Sequence, residues 1–150
     1  LLGATKSMDG LDVLDVGCGY GIIGLFAAAL GAAKVDMTDD NLFAIAACRE
    51  TISLNSFNNI TAYPGSLLEP VMPGIYDLIL SNPPFHAGHK VTYQVAHALI
   101  TQSYQALKPN GHLIIVANRF IRYERYIKEL FGNVLILDES PRFHVLSALK

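Results

Sequence analysis

Apolar residues recur along this chain in two alternating rhythms. Leu11–Val16 reads Leu-Asp-Val-Leu-Asp-Val, apolar residues alternating with single acids, ends at glycines and predicts a strand. Tyr20–Leu30 is almost wholly apolar and predicts a helix; Ala33–Thr38 reads as the second strand. Asn41–Asn55 follows as a helix with Ile45, Cys48 and Ile52 on one face. Ile60–Tyr63 is a short third strand closed by Pro64-Gly65, and Tyr76–Leu80 is a fourth that runs into Ser81-Asn82-Pro83-Pro84-Phe85. Val91–Leu107 predicts a helix with Val95, Ala96, Leu99, Ile100 and Leu107 turned inward. Lys108-Pro109-Asn110-Gly111 then reads as a turn before the strand His112–Ala117.

The helix Arg122–Phe131 carries the sharpest pattern. Tyr123, Tyr126, Ile127, Leu130 and Phe131 fall on one face, with Arg122, Arg125 and Lys128 centred on the other. Asn133–Leu137 and Phe143–Leu149, joined by Asp138-Glu139-Ser140-Pro141, predict an antiparallel hairpin. Strands alternating with helices until a final hairpin predict one α/β domain over 1–150. Its sheet is doubly wound, seven-stranded and mostly parallel, with a C-terminal antiparallel hairpin.

Composition narrows the class. The chain has 150 residues, 51% hydrophobic and 16% charged, which excludes a disordered chain. Cys18 and Cys48 alone exclude a disulfide scaffold and a four-cysteine zinc site, and they fit a reducing cytoplasm. The longest apolar run, Ile22 to Leu30, is too short to span a membrane. No secretory leader is visible, and the first Met is Met8, so the chain reads as an excerpt of something longer. The net charge of −2 hides an asymmetry. Residues 1–80 carry three basic against nine acidic residues, a net of −6, and residues 81–150 carry eight against four, a net of +4. Such a basic half can present a phosphate-facing surface.

Two motifs carry chemistry. Asp15-Val16-Gly17-Cys18-Gly19-Tyr20-Gly21 closes the first strand and opens a helix. Its glycines let the backbone turn sharply and approach a ligand, and a helix N-terminus favours a carboxylate or phosphate. The spacing is G-x-G-x-G, with Ile22 where a dinucleotide fingerprint has its third glycine. The second strand leads to Asp39-Asp40, where an acid can take both hydroxyls of a ribose. The second motif is Asn82-Pro83-Pro84-Phe85. Two prolines fix φ and remove two donors, leaving the Asn82 amide oxygen and the Pro83 carbonyl free to accept from a planar group bearing an amine. Five histidines come without companion ligands at metal spacing, so no metal is expected. Cys18, Tyr20 and Phe26 read as packing residues, and Ser81 as a strand end.

On these residues the chain resembles class I S-adenosylmethionine-dependent methyltransferases that modify amino nitrogens. With His86 and Gly88 after the proline motif, and Ile115-Val116-Ala117-Asn118-Arg119 in the fifth strand, it is most similar to the bacterial ribosomal RNA guanine-N2 methyltransferases. The resemblance runs from about Leu11 to Lys150. It implies that Gly17, Gly19 and Gly21 wrap the methionine end of S-adenosylmethionine, with Asp15 supporting the loop, and that Asp39, beside Asp40, binds the ribose hydroxyls. Ser66 falls where relatives carry an acid or amide near the adenine. Asn82, Pro83, Pro84 and Phe85 form the catalytic turn, with Phe85 stacking on the target base. Lys90, Arg119 and Arg122 are the expected RNA phosphate contacts, with Arg125 and Lys128 equally explained by solubility. The family also has an upstream segment and often a degenerate duplicate domain, which the chain lacks. Ribosomal RNA or a ribosomal subunit is the implied partner. The rival readings are methylation of a protein glutamine amide or of adenine N6 by the same fold, and a degenerate domain that only docks RNA.

Overall fold

The computed structural model describes residues 7–83 and 89–150, with the side chains of 89–92 left aside. The predicted alternation is present: β1 (Asp12–Val16), α1 (Ile22–Ala29), β2 (Lys34–Asp39), α2 (Leu42–Leu54), β3 (Ile60–Pro64), β4 (Tyr76–Ser81), α3 (His89–Ala106), β5 (Leu107–Asn118), α4 (Tyr123–Phe131), β6 (Leu135–Glu139) and β7 (Phe143–Leu149). The sheet has seven strands in the order β3-β2-β1-β4-β5-β7-β6. The pairs among the first five are parallel, and β7 enters antiparallel between β5 and β6.

Both faces of the central strands are apolar, as a covered parallel sheet requires. Leu14, Val16, Ile79, Leu113 and Ile115 point to one side and pack with Ala96, Leu99, Tyr123 and Ile127 of α3 and α4. Val13, Met37, Leu78, Leu80 and Ile114 point to the other and pack with Leu25, Ala28, Ile45 and Cys48 of α1 and α2. The chain builds outward from β1 to β3, then crosses back to lay β4 on the other side of β1. The carboxyl ends of β1, β2 and β4 therefore meet at the switch point where such sheets hold their ligands.

Several details depart from the sequence pattern. Gly21, with φ of 93°, holds the chain in a left-handed turn, so α1 starts at Ile22. Tyr20 consequently lies on the outer side of the loop, 62% exposed, where a core position was expected. Val95 is also on the surface, 38% exposed, although its helical neighbours Ala96, Leu99 and Ile100 are buried. Lys108–Gly111 does not separate α3 from β5. It is part of β5 as an irregularity, since Tyr76 pairs with Leu107 and Leu78 with His112. Lys108 holds that excursion by ion pairs of 2.8 Å to both Asp12 and Asp77. Leu130 is exposed, on the flank of an α4 face otherwise buried through Tyr123, Ile127 and Phe131.

The hairpin forms with its first strand shifted by two residues. The Asn133 side chain exchanges hydrogen bonds with the backbone of Leu149, which keeps Asn133 out of the ladder. β6 is exposed along its whole length and carries an irregularity between Ile136 and Asp138. No helix among the described residues is long and apolar enough to cross a membrane.

Candidate active site

The glycine loop is held from the side of β2. The N–H groups of Gly17 and Cys18 both donate to the Thr38 carbonyl, at 2.8 and 3.0 Å. One residue on, the Gly19 N–H donates to Asp39 Oδ2 at 2.9 Å. The other Asp39 oxygen accepts from the Asn41 N–H at 2.9 Å, and the Asn41 side chain in turn caps α2 through Phe43 and Ala44. Asp39 thus fixes the loop and the start of α2 together. A carboxylate has about four acceptor sites, so two remain for a ligand.

Gly17 and Gly19 adopt φ of 75° and 55°, and a Cβ on either would meet only open space. Positive φ excludes most side chains here, and the space in front is free for a ligand's close approach. Gly21 differs. A Cβ there would stand 2.8 Å from Cys48 Sγ, so its glycine serves packing against α2. Cys18 is buried with its sulfur 4.0 Å from that of Cys48, which agrees with a packing role. The Cys48 thiol and burial push the Cys18 thiol above its ordinary range.

Asp15 lies beneath the loop, fully buried, and its Oδ2 accepts from the Gly24 N–H at 3.1 Å. Its Oδ1 has no partner among the described residues. Burial pushes this carboxyl up to about 7, opposed by the Gly24 N–H and aided by the negative charge of Asp39. Asp15 does not reach the cleft; it ties the end of β1 to the first turn of α1. On the other flank, the Ser81 hydroxyl donates to the Val16 carbonyl at 2.8 Å and locks β4 to β1 as a strand end.

Between these ends lies a cleft of about 420 Å³. Its walls bring together Gly17 and Gly19, Asp39 and Asp40, Ser66, and Asn82 with Pro83. Gly21 and Asp15 support it from behind. Pro84 and Phe85, the rest of the expected catalytic turn, lie outside the described residues, as do His86 and Gly88. The sequence pattern missed Thr38, Asn41, Leu67, Val95 and Leu99 as lining residues. Asn41 had a signal, a capping residue directly before a helix. Val95 and Leu99 had none separate from the core pattern of α3.

Arg119 and Arg122 lie elsewhere. With Asn118, Arg125, Glu124 and His144 they line a second cleft of about 380 Å³. It opens at the carboxyl end of β5 and the start of α4. Arg125 is paired with Glu129 at 2.7 Å, and Glu124 with His144 Nδ1 at 2.5 Å. Arg122 is exposed and has no hydrogen bond or ion pair among the described residues. Lys90 lies in the first turn of α3, and its side chain is outside the description.

The first cleft fits a nucleoside-bearing ligand of ordinary cofactor size. It offers a carboxylate with spare acceptor capacity, two glycines facing open space, and an amide at the rim. The family described as Methyltransferase small domain matches residues 1–147. Ribosomal RNA small subunit methyltransferase C of Chromohalobacter salexigens is 40% identical over 141 residues, covering 94% of this chain and 41% of that protein. Ribosomal RNA large subunit methyltransferase G of Photobacterium profundum is 35% identical over 142 residues, covering 93% of this chain and 38% of that one. The chain spans about two fifths of the length of these relatives. Among solved structures, a 16S rRNA N2 methyltransferase of T. thermophilus in complex with AdoMet and guanosine superposes with a TM-score of 0.87 at 31% identity. That match covers 99% of this chain and 39% of the other. A ribosomal protein L11 methylase of Lactobacillus delbrueckii superposes with a TM-score of 0.79 at 26% identity, over 99% of this chain and 76% of the other.

Proposed function

The chain belongs to the methyltransferase small domain family, and we propose that it is the catalytic domain of an enzyme that methylates the exocyclic N2 of a guanine in ribosomal RNA. One observation carries the reading: a single cleft unites the Gly17–Gly19 loop, the Asp39 carboxylate and the Asn82-Pro83 turn. Bound there, S-adenosylmethionine would supply a methyl group on a sulfonium; the S–C bond would break as the N–C bond forms, and a neutral thioether would leave with no need of a metal. Gly17 and Gly19 admit its methionine end against bare backbone, and the two spare acceptor sites of Asp39 take the ribose hydroxyls. Asp40 and Ser66 border the adenine side.

The guanine amine is a weak nucleophile because its lone pair is delocalised into the ring. Asn82 Oδ1 and the Pro83 carbonyl accept its two hydrogens, which aims the nitrogen and favours the positive charge it gains as the N–C bond forms. That charge exists only in the transition state and after it, so the contact acts on turnover more than on binding. The excess proton then leaves to solvent at the open mouth of the cleft. Phe85 would stack on the extruded base. Arg119, Arg122 and Lys90 contact RNA phosphates, which positions the acceptor without reading its sequence.

The reading places the protein in the cytoplasm with ribosomal RNA or a ribosomal subunit as partner. The greater length of the relatives supports a further segment in the full-length protein, which the reading places upstream. The main rival acceptor is the side-chain amide of a protein glutamine; the likeness to a ribosomal protein L11 methylase keeps a protein acceptor in view, without naming its group. The test is full-length protein with labelled cofactor, offered transcribed ribosomal RNAs, assembled subunits and ribosomal proteins. Nucleoside analysis is expected to find N2-methylguanine. Label in protein or on adenine N6 overturns the acceptor. No heat of S-adenosylmethionine binding by calorimetry overturns the enzyme.

A further inference from the structure

Phe120 has a side chain almost wholly in water, 82% exposed, on a backbone that is tightly fixed. Its own N–H donates to Asn118 Oδ1 at 3.0 Å, and the Ile121 N–H donates to the Asn118 carbonyl at 3.0 Å. The Arg119 N–H is taken by the Arg142 carbonyl at 3.1 Å, and the Tyr93 hydroxyl donates to the Phe120 carbonyl at 3.4 Å. Four bonds from three directions hold an aromatic ring out from the surface. Burial would be the ordinary use of such a ring, and neither α4 nor β7 receives it.

Its place in the sheet gives the ring a use. β5 lies beside β4 with Ser81 opposite Ile115. Asn82 therefore stands level with Val116, and Phe120 is four residues further along the same edge, at most about 14 Å of chain. The tether from Tyr93 binds it to α3, the helix that supplies Val95 and Leu99 to the first cleft. Phe120, just past the end of β5, thus stands on the acceptor side of the sheet, whereas the exposed Phe43 follows β2, on the other side of β1 and β4. At its foot is the second cleft, where Arg119 and Arg122, the latter without an ion pair among the described residues, present positive charge. A flat apolar face with cations at its base is what a single-stranded nucleic acid requires: a surface for a base and charge for its phosphate.

We propose that Phe120, with the Arg119–Arg122 cleft beneath it, is a stacking subsite for an unpaired RNA base that flanks the base being methylated. This rests on the RNA reading of the first cleft and adds a residue for which the sequence pattern gave no signal. A lone aromatic in a loop has no period. The subsite holds the strand on the far side of the target, so it sets how the acceptor is presented and takes no part in the transfer.

The test uses the full-length protein, unaltered and as Phe120→Ala, Phe120→Leu and Phe120→Trp. The probe is a short single-stranded oligoadenylate carrying one 2-aminopurine, whose fluorescence is quenched by stacking. Unaltered protein and Phe120→Trp are expected to quench and bind. Phe120→Ala and Phe120→Leu are expected to bind roughly 5- to 150-fold more weakly, with weaker quenching at saturation. Because Phe120 is exposed, thermal unfolding and S-adenosylmethionine titrations are expected to be unchanged in all four. An Arg119→Ala, Arg122→Ala protein is expected to lose affinity and salt dependence while still quenching once saturated. The proposal is overturned if unaltered protein does not bind the oligonucleotide, if Phe120→Ala quenches equally, or if Phe120→Leu equals the aromatic forms. If quenching follows Phe120 while no protein binds S-adenosylmethionine, the methyltransferase reading fails and the RNA subsite stands.

Discussion

Replacing Asp15 by asparagine should make this chain more stable at alkaline pH. The carboxyl is fully buried, one of its oxygens has no partner among the described residues, and its pKa rises from 3.8 to about 7. The free chain therefore releases this proton near pH 3.8 and the folded chain near pH 7. Below the lower value both states are protonated and burial carries no ionic penalty. Between the two, stability falls as pH rises, because the folded state must either keep its proton or bury a charge. Above pH 7 the deficit is complete, about 4 kcal/mol for a shift of this size at about 1.4 kcal/mol per unit.

Asparagine keeps an oxygen for the Gly24 N–H and removes the ionisation. The variant is expected to match the parent near pH 4 and exceed it by about 2–4 kcal/mol at pH 8. The chain has no Trp, so urea unfolding followed by circular dichroism across that range is the assay. A stability difference that does not change with pH would refute the reasoning. So would a variant less stable than the parent at pH 8. The same carboxylate would favour a cation seated on the glycine loop. S-adenosylmethionine affinity is thus expected to rise with pH through 7 in the parent and to stay flat in Asp15→Asn.

Asp39→Ala removes both the ribose acceptor and the bond that fixes Gly19, so cofactor and demethylated product should both weaken by at least tenfold in calorimetry, a contact to a charged group being worth about 1.5–3 kcal/mol. Unchanged affinity would move the ribose site elsewhere. Asn82→Ala should lower turnover by about a hundred-fold and leave S-adenosylmethionine binding nearly as it was; near-normal turnover would sink the catalytic role of the turn. Gly24→Ala should destabilise by about 1–3 kcal/mol, because its Cβ would press on Met37, with Sδ at 2.9 Å and Cγ at 3.0 Å. Urea midpoints check this, and if the clash is the cause Gly24→Ala should cost less in a Met37→Ala background, itself destabilised by its cavity, than in the parent.

Most of this architecture was legible because strand and helix periods are local, and here both faces of the sheet need apolar cover. The period failed where tertiary geometry intervened. Tyr20 looked like the start of a buried helix, but left-handed Gly21 delays the helix and leaves the ring outside. Val95 obeys the helical face of α3, yet the cleft opens beside it. Lys108-Pro109-Asn110-Gly111 has every mark of a turn, and its ion pairs to two neighbouring strands keep it in the sheet. For the site, the glycine loop and Asp39 were readable since adjacent strands β1 and β2 bring them together. The separation of Arg119 and Arg122 into a cleft of their own depends on how β5, α4 and β7 meet, which no local pattern encodes.

The exposed strand β6 closes the sheet on one side and leaves a free row of backbone donors and acceptors beside Leu135, Ile136 and Leu137. Such an edge invites another chain to pair with it and grow into aggregates. Two features blunt it here: the irregularity between Ile136 and Asp138 breaks the regular ladder, and Asp138 with Glu139 adds two negative charges where an incoming strand would lie. The expected consequence is that charge at this edge opposes self-association. Changing Asp138 and Glu139 to Asn and Gln should raise light scattering on storage without moving the unfolding midpoint, and equal scattering would show that the bulge alone guards the edge.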